Sequence, residues 1–310
     1  MLRIAVIIPC YNEEAAIART VTDFRAALPD AEVYVYDNNS SDRTREVAAA
    51  AGAVVRTERQ QGKGAVVRRM FADIDADIYV MTDGDATYEA AAAPRLVQLL
   101  IDERLDMVVG ARQTDADAAY RRGHQFGNKL LTGLLTRMFG RSFSDILTGY
   151  RVFSRRFVKS FPILTAGFEI ETEISAHALE LAMPTAELPT AYGARPEGSV
   201  SKLNTYADGW RILNTMVTMY RAERPVIFFG IIAGLLLAAA VILAVPLVTT
   251  YLATGLVPRF PTAILVTGIV IVAVLAFFAG LILDTVTRGR REMKRLVYLQ
   301  QPAPGDPAPR

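Results

Sequence analysis

The chain has 310 residues, room for two domains, and 52% of them are apolar, above the about 45–50% of ordinary soluble domains. A formal charge of +2 is too small to indicate a nucleic-acid partner, and the single cysteine, Cys10, excludes an internal disulfide and fits a reducing compartment. The apolar excess is uneven: residues 1–225 have the balance of a soluble α/β domain, while residues 226–283 are almost entirely apolar.

In chain order, residues 3–8 read as an apolar strand. The run is too short for the h-region of a signal peptide and meets Pro9, so the amino-terminal domain is expected to stay in the cytoplasm. Residues 14–28 have helical spacing and stop before Pro29. A second strand, 32–36, leads into the turn-and-cap cluster Asp37-Asn38-Asn39-Ser40-Ser41-Asp42 and a helix through Ala51. Residues 53–56 form a third strand, 64–74 a helix, 78–82 a fourth strand, 91–103 a helix and 107–109 a fifth strand. This alternation predicts an α/β fold whose mostly parallel sheet is covered on both faces. Ligands of such sheets bind beyond the carboxyl ends of the strands, where three polar clusters fall: Tyr11-Asn12-Glu13-Glu14, Asp37-Asn38-Asn39 and Asp83-Gly84-Asp85.

The third cluster carries the most chemistry. Strand alternation aims Asp83 and Asp85 to one side, where like charges repel unless a cation lies between them. Oxygen-only ligation suits Mg²⁺ or Mn²⁺ shared with substrate phosphates; the competing reading is a solvated acidic loop. Asp37 has the chemistry to accept hydrogen bonds from a base edge, or to cap a helix or close an Asx turn. Gln61-Gly62-Lys63-Gly64 puts a lysine at a helix start, where backbone N–H groups and the cation would hold an anion. It matches neither a phosphate loop nor a dinucleotide fingerprint. Cys10 reads as a small buried residue at a strand end.

Ile8-Pro9-Cys10-Tyr11-Asn12-Glu13-Glu14, Asp37-Asn38-Asn39-Ser40-Ser41-Asp42-Arg43-Thr44, Gly62-Lys63-Gly64 and Asp83-Gly84-Asp85, in that order, resemble an inverting family-two glycosyltransferase of the GT-A fold. Val109-Gly110-Ala111-Arg112, Asp145-Ile146-Leu147-Thr148-Gly149-Tyr150-Arg151 and Arg195-Pro196-Glu197-Gly198-Ser199-Val200-Ser201-Lys202-Leu203 narrow the resemblance to polyisoprenyl-phosphate glycosyltransferases of the dolichyl-phosphate mannose synthase type. The resemblance implies that Pro9, Tyr11, Glu13 and Asp37 line the base and ribose pocket, with Asn12, Asn38 and Gly84 also on the nucleotide sugar. It places Lys63 and Asp83 near ribose and diphosphate and makes Asp85, with Asp83, the metal ligand. Arg112, Arg195, Ser201 and Lys202 would meet phosphates of the donor or the lipid acceptor, with Asn128 beside the acceptor phosphate. The chain departs from its relatives at Asn38, where many have a second aspartate, at Thr87, where mannose synthases often carry glutamine, and at Glu169, near which a lysine often stands.

Between these motifs, the basic loop 120–129, with His124, precedes a helix over 130–139 and either stays solvated or gathers lipid phosphate beside a membrane. Residues 168–173 are denser in carboxylates than a helix start needs, although the helix dipole favours acid there.

Residues 226–258 and 260–283 carry no charge, and each run exceeds the roughly 20 apolar residues needed to cross a bilayer. Spans are expected near 226–248 and 262–283. Arg221 and Arg224 before them, and Arg288, Arg290, Arg291, Lys294 and Arg295 after them, outnumber Arg259 between them. The positive-inside rule then places both termini and the catalytic domain on the cytoplasmic side of the inner membrane. The expected organisation is a glycosyltransferase domain over 1–204, an amphipathic juxtamembrane helix over 205–225, a transmembrane hairpin over 226–284 and a cytoplasmic tail over 285–310. That tail is basic at first, then proline-rich and expected to be disordered.

Together these readings imply inverting transfer of a hexose or hexosamine from a UDP- or GDP-sugar to the phosphate of a polyprenyl monophosphate. Lys63 and Asp85 would serve the departing diphosphate. Asp145 would orient the acceptor or act as base, or else be a turn residue before Gly149. Two alternatives stay open: a glycan synthase with a non-lipid acceptor, for which Gln-x-x-Arg-Trp is missing, and an inactive membrane-anchored nucleotide-sugar binding protein. The oligomeric state, a homo-oligomer included, is left open.

Overall fold

Ile4-Ala5-Val6-Ile7-Ile8 is apolar at every position, as a strand covered on both faces requires, and Val6, Ile7 and Ile8 have no exposed surface. The computed structural model describes residues 2–113, 132–133, 135–140, 143–163, 169–196, 214 and 217–306. The chain divides into two units, Met1–Ile212 with Met293–Arg310, and Leu213–Glu292.

Among the described residues the first unit holds one seven-stranded sheet. Its strands are β1 (Ile4–Cys10), β2 (Glu32–Asp37), β3 (Val54–Thr57), β4 (Ile78–Met81), β5 (Met107–Gln113), β6 (Arg151–Ser154) and β7 (Thr185–Ala191), in the order β3-β2-β1-β4-β6-β5-β7. Only β6 runs antiparallel, against β4 and β5. The unit's helices include α1 (Ile17–Ala27), α2 (Thr44–Ala50), α3 (Lys63–Asp73), α4 (Ala93–Asp102), α5 (Arg155–Ser160) and α6 (Ile170–Glu180). This is the mostly parallel GT-A architecture that the motifs imply. Strand order reverses between β1 and β4, so the carboxyl ends of β1, β2 and β4 frame a crevice.

The second unit contains α7 (Pro225–Thr254) and most of α8 (Phe260–Leu299), two helices long and apolar enough to cross a membrane. Both outrun the predicted spans. Pro246 lies inside α7, which ends instead at Gly255, whose φ of 70° is the left-handed cap favoured by glycine. Most of their apolar surface is exposed, but Ala233 and Ala240 of α7 and Ala273, Gly280 and Thr287 of α8 are buried at seven-residue spacing. Small residues let helix backbones approach: a Cβ added at Gly280 would stand 3.0 Å from Phe229 Cβ and 3.3 Å from Pro225 O. Glu223 closes the polar end by pairing with Arg290 at 2.6 Å and Arg291 at 2.8 Å. Of the expected juxtamembrane helix, residues 217–223 are helical; most of the rest lies outside the described residues.

From Met293 on, α8 belongs to the first unit. Lys294 pairs with buried Glu180 at 2.7 Å, and the Tyr298 hydroxyl donates to Asp106 Oδ2 at 2.8 Å. Asp106, fully buried, also takes Arg156 Nε at 2.6 Å and the Ser154 hydroxyl at 2.7 Å. Residues 301–306 of the tail expected to be disordered include a turn and a buried proline, Pro304.

His177 on α6 lies between the Phe157 and Phe161 rings, 3.2 Å from Ser160 Oγ. Burial, and then the charge of Lys294, push its imidazole down to about 3. An unfolded chain protonates this group near 6.5, so between pH 6.5 and 3 the unfolded state binds the extra proton and stability is lost as the pH is lowered, by up to ~1.4 kcal/mol per pH unit. Thermal unfolding midpoints of His177→Gln should therefore decline less than wild type between pH 6.5 and 4.5; parallel curves would contradict a neutral buried imidazole.

Candidate active site

Side chain to backbone bonds stitch the loops after β1 and β2 together. Asn12 N donates to Ser40 Oγ and Glu13 N to Thr44 Oγ1, each at 2.8 Å, while Asn12 Oδ1 accepts from Ser41 N at 2.8 Å. Asn12, with φ 52°, takes the left-handed conformation that asparagine tolerates. Pro9 pairs in register with Tyr36, Tyr11 is 39% exposed, and Glu13 is buried. Asp37, at the end of β2, is fully buried. Its Oδ2 accepts from Ser40 N at 3.2 Å, the local turn of its alternative reading, whereas Oδ1 has no hydrogen-bond partner among the described residues. A buried, unmatched acceptor beside the β1 loop fits a ring or exocyclic N–H of a base. Asn38 is engaged differently. Its Nδ2 donates to Glu58 O and Gln60 O, and its Oδ1 accepts from Gly62 N at 2.7 Å. Its amide thus fixes the loop that presents Lys63.

Lys63 opens α3 behind Gly62, whose φ of 124° only glycine adopts readily. Its Nζ lies 2.5 Å from Asp83 Oδ1 and 2.5 Å from Glu171 Oε1. Burial alone would lower this ammonium, but the two carboxylates outweigh it and hold the pKa far above the ordinary lysine value. Asp85 is buried; Thr87 Oγ1 donates to its Oδ1 at 2.6 Å, and Arg195 Nη2 sits 2.8 Å from its Oδ2. Burial, and then the charge of Asp83, raise the Asp85 carboxyl above the usual range. The Thr87 hydroxyl orients Asp85. Ala86 between them has φ 55°, a strained value for alanine that turns the chain between the two.

Two glycines shape this acidic loop by what they leave out. A Cβ at Gly84 would stand 2.3 Å from Cys10 Sγ, and one at Gly149 would stand 2.6 Å from Asp83 Oδ2. Gly84 therefore packs on the β1 end beneath the site. The loop that carries Gly149 is held by Tyr88, whose hydroxyl accepts from Gly149 N at 2.8 Å, and by Arg151 at the start of β6. The Arg151 guanidinium, fully buried, donates to Ile146 O, Thr148 O and Ser175 Oγ at 2.5, 3.1 and 2.9 Å, and burial pushes its pKa down to about 10.

Asp145 and Arg112, read from sequence as separate acceptor-side residues, form one bidentate pair, Nε to Oδ2 at 2.7 Å and Nη2 to Oδ1 at 2.8 Å. Arg112 also lies over the Tyr192 ring at 5.4 Å. Arg195 reaches Asp85 because its strand exit is tied back: Gly193 N donates to Thr87 O at 2.8 Å, and Tyr192 bridges Tyr88. Asn128, Ser201 and Lys202 lie outside the described residues, as does His124.

Sequence reasoning gave no site role to Glu171 or Arg151. The excess of carboxylates at 168–173 was the available signal for Glu171. For Arg151 the signal was its place at the end of the Asp145–Arg151 motif, although burial of the guanidinium is invisible in sequence. The donor set fits a hard divalent cation: two aspartates lie side by side, each already bearing a cationic head where a metal would bind. Among the described residues no third metal-binding side chain joins them.

The profile of glycosyl transferase family 2 matches residues 5–161. The chain belongs to that family. Glycosyltransferase AglJ of Haloferax volcanii is 32% identical over 96% of this chain and 98% of its own length. The dolichyl-phosphate hexose transferase of the same organism is 30% identical over 71% of this chain and 95% of its own. Among solved structures, glucosyl-3-phosphoglycerate synthase from Mycobacterium tuberculosis, in complex with Mn²⁺, UDP-glucose and phosphoglyceric acid, shares the fold with a TM-score of 0.56 at 23% identity, over 70% of this chain and 79% of that one.

In this family 2 glycosyltransferase, Gly149→Ala should displace the Asp83 carboxylate while leaving the sheet intact. We expect about a tenfold or greater loss of Mn²⁺-dependent UDP or GDP affinity by calorimetry, with an unchanged far-UV spectrum.

Proposed function

We propose that this enzyme transfers a hexose or hexosamine, with inversion, from a UDP- or GDP-sugar to the phosphate of a polyprenyl monophosphate. The reaction takes place on the cytoplasmic face of a membrane crossed by α7 and α8. The observation that carries the reading is the presence, in one chain, of the Lys63, Asp83 and Asp85 cluster at the carboxyl ends of a GT-A sheet and of two exposed apolar helices. The likeness to a dolichyl-phosphate hexose transferase supports the lipid acceptor, and the excess of arginine outside the hairpin supports the orientation.

In this reading the base meets Asp37 Oδ1 and the exposed face of Tyr11, and the diphosphate lies toward Lys63. A polyprenyl phosphate is largely dianionic at neutral pH, its second pKa being about 6, so the nucleophile arrives ionised. This suits a site in which Asp145 is engaged by Arg112 and holds that guanidinium in place, instead of standing ready as a base. The phosphate oxygen forms the new bond to the anomeric carbon as the bond to the diphosphate breaks. The electron pair leaves on the β-phosphate, where Lys63 and Arg195 offset the growing charge. A bound divalent cation, held by Asp83 and Asp85, would supply further charge neutralisation to the departing diphosphate. The Mn²⁺ in the mycobacterial structure supports that cofactor class. The phosphoglyceric acid in the same structure makes a small phosphorylated acceptor the second reading.

The test is release of UDP or GDP from a panel of nucleotide sugars by the purified full-length protein, with polyprenyl phosphate, with phosphoglycerate or with neither. We expect turnover only with the lipid phosphate, loss of it in EDTA, and about a 100-fold or larger drop in Asp85→Ala. Turnover without lipid phosphate would overturn the acceptor, and full activity in EDTA the metal. From an α-linked donor the lipid product should be β-linked by NMR; an α-linked product would contradict direct displacement.

A further inference from the structure

Lys63 holds two carboxylates, one more than its charge requires, and the two are placed differently. Asp83 stands on the loop after β4 that also carries Asp85, and its side chain is 30% exposed. Glu171 stands in the first turn of α6, apart from that loop, and its side chain is 6% exposed. Glu171 is also built in from behind. Its carbonyl oxygen accepts from the Ser175 hydroxyl at 3.0 Å, and the same hydroxyl oxygen accepts from Arg151 Nη1 at 2.9 Å. The amino-terminal end of α6 adds a dipole that favours a carboxylate there. One partner of the lysine is therefore open to exchange, and the other is fixed.

We propose that Glu171 is a positioning residue that retains Lys63 while Asp83 is given over to a divalent cation. This rests on the reading of Asp83 and Asp85 as the cation site. With Asp83 as its one counterion, the ammonium would lose its match whenever a metal drew that carboxylate away. An unmatched buried charge is costly, so lysine and metal would compete for Asp83. Glu171 removes the competition: the ammonium stays matched, and stays at the start of α3, whichever way Asp83 turns. An ammonium has three N–H donors, so one committed to Glu171 leaves two for other acceptors. Glu171 also adds a negative charge next to the acidic loop. That charge favours a cation there and disfavours a diphosphate that arrives without one. The two ligands thus feel this residue with opposite sign.

The experiment measures binding to the full-length protein in detergent, Mn²⁺ alone from the free-ion EPR signal, and UDP or GDP in EDTA by calorimetry. Glu171→Gln keeps an amide oxygen for Lys63 but removes the charge. It should bind Mn²⁺ about tenfold more weakly than wild type. The nucleotide without metal should bind that variant at least as tightly as wild type. Glu171→Asp keeps the charge and should hold Mn²⁺ within about threefold of wild type. Mn²⁺ affinity that is unchanged or tighter in Glu171→Gln would overturn the proposal. Parallel weakening of Mn²⁺ and nucleotide, the mark of a site that has merely collapsed, would overturn it too, as would a Glu171→Asp protein as weak for Mn²⁺ as Glu171→Gln. Asp83→Asn separates these failures from a failure of the site itself. If it abolishes Mn²⁺ binding while Glu171→Gln leaves it unchanged, the role of Glu171 alone is wrong; if it binds Mn²⁺ like wild type, the cation site and the functional reading fall together.

Discussion

The ammonium of Lys63 between Asp83 and Glu171 is the interaction on which the rest of the site depends. It joins three elements distant in sequence: the start of α3, the loop after β4 and the first turn of α6. Burying a lysine is unfavourable unless its charge is matched, and here two carboxylates match it. The geometry around it follows from that demand. Asn38 fixes the glycine turn before Lys63, Gly149 leaves room for the Asp83 carboxylate, and Arg151 holds the loop that carries Gly149.

Much of this was legible in the sequence, because the parts that matter are local. The apolar runs of β1, β2 and β4 and the polar clusters at their ends place the crevice without any tertiary information. The acidic pair and the glycine-flanked lysine say that an anion and a cation belong there. What sequence could not give was the pairing. Arg112 and Asp145 each look like a reactive group, and only the fold shows that they neutralise one another. Glu171 resembles a residue favoured by a helix dipole until α6 is set against α3.

The missed strands have a physical explanation as well. β6 is four residues long and begins with a buried arginine, the residue type least expected inside. β7 is an edge strand, mixed in polarity and carrying Pro189, a residue that would argue against a central strand but is tolerated where one side has no partner. α7 and α8 extend beyond the expected spans, since the first helix runs through Pro246 and turns only at Gly255, and the second continues into the basic segment. Composition marks an apolar run more surely than it marks where a helix ends.

The close fit of Gly84 on Cys10 has a consequence for chemical reactivity. The sulfur occupies the volume in which any side chain at position 84 would sit, and the thiol is 3% exposed. Burial shields it from solvent. Burial beside the acidic loop therefore slows attack by an oxidant or thiol reagent in the folded chain. At position 84, by contrast, the cysteine sulfur leaves no room for a side chain, which makes glycine there a matter of steric volume.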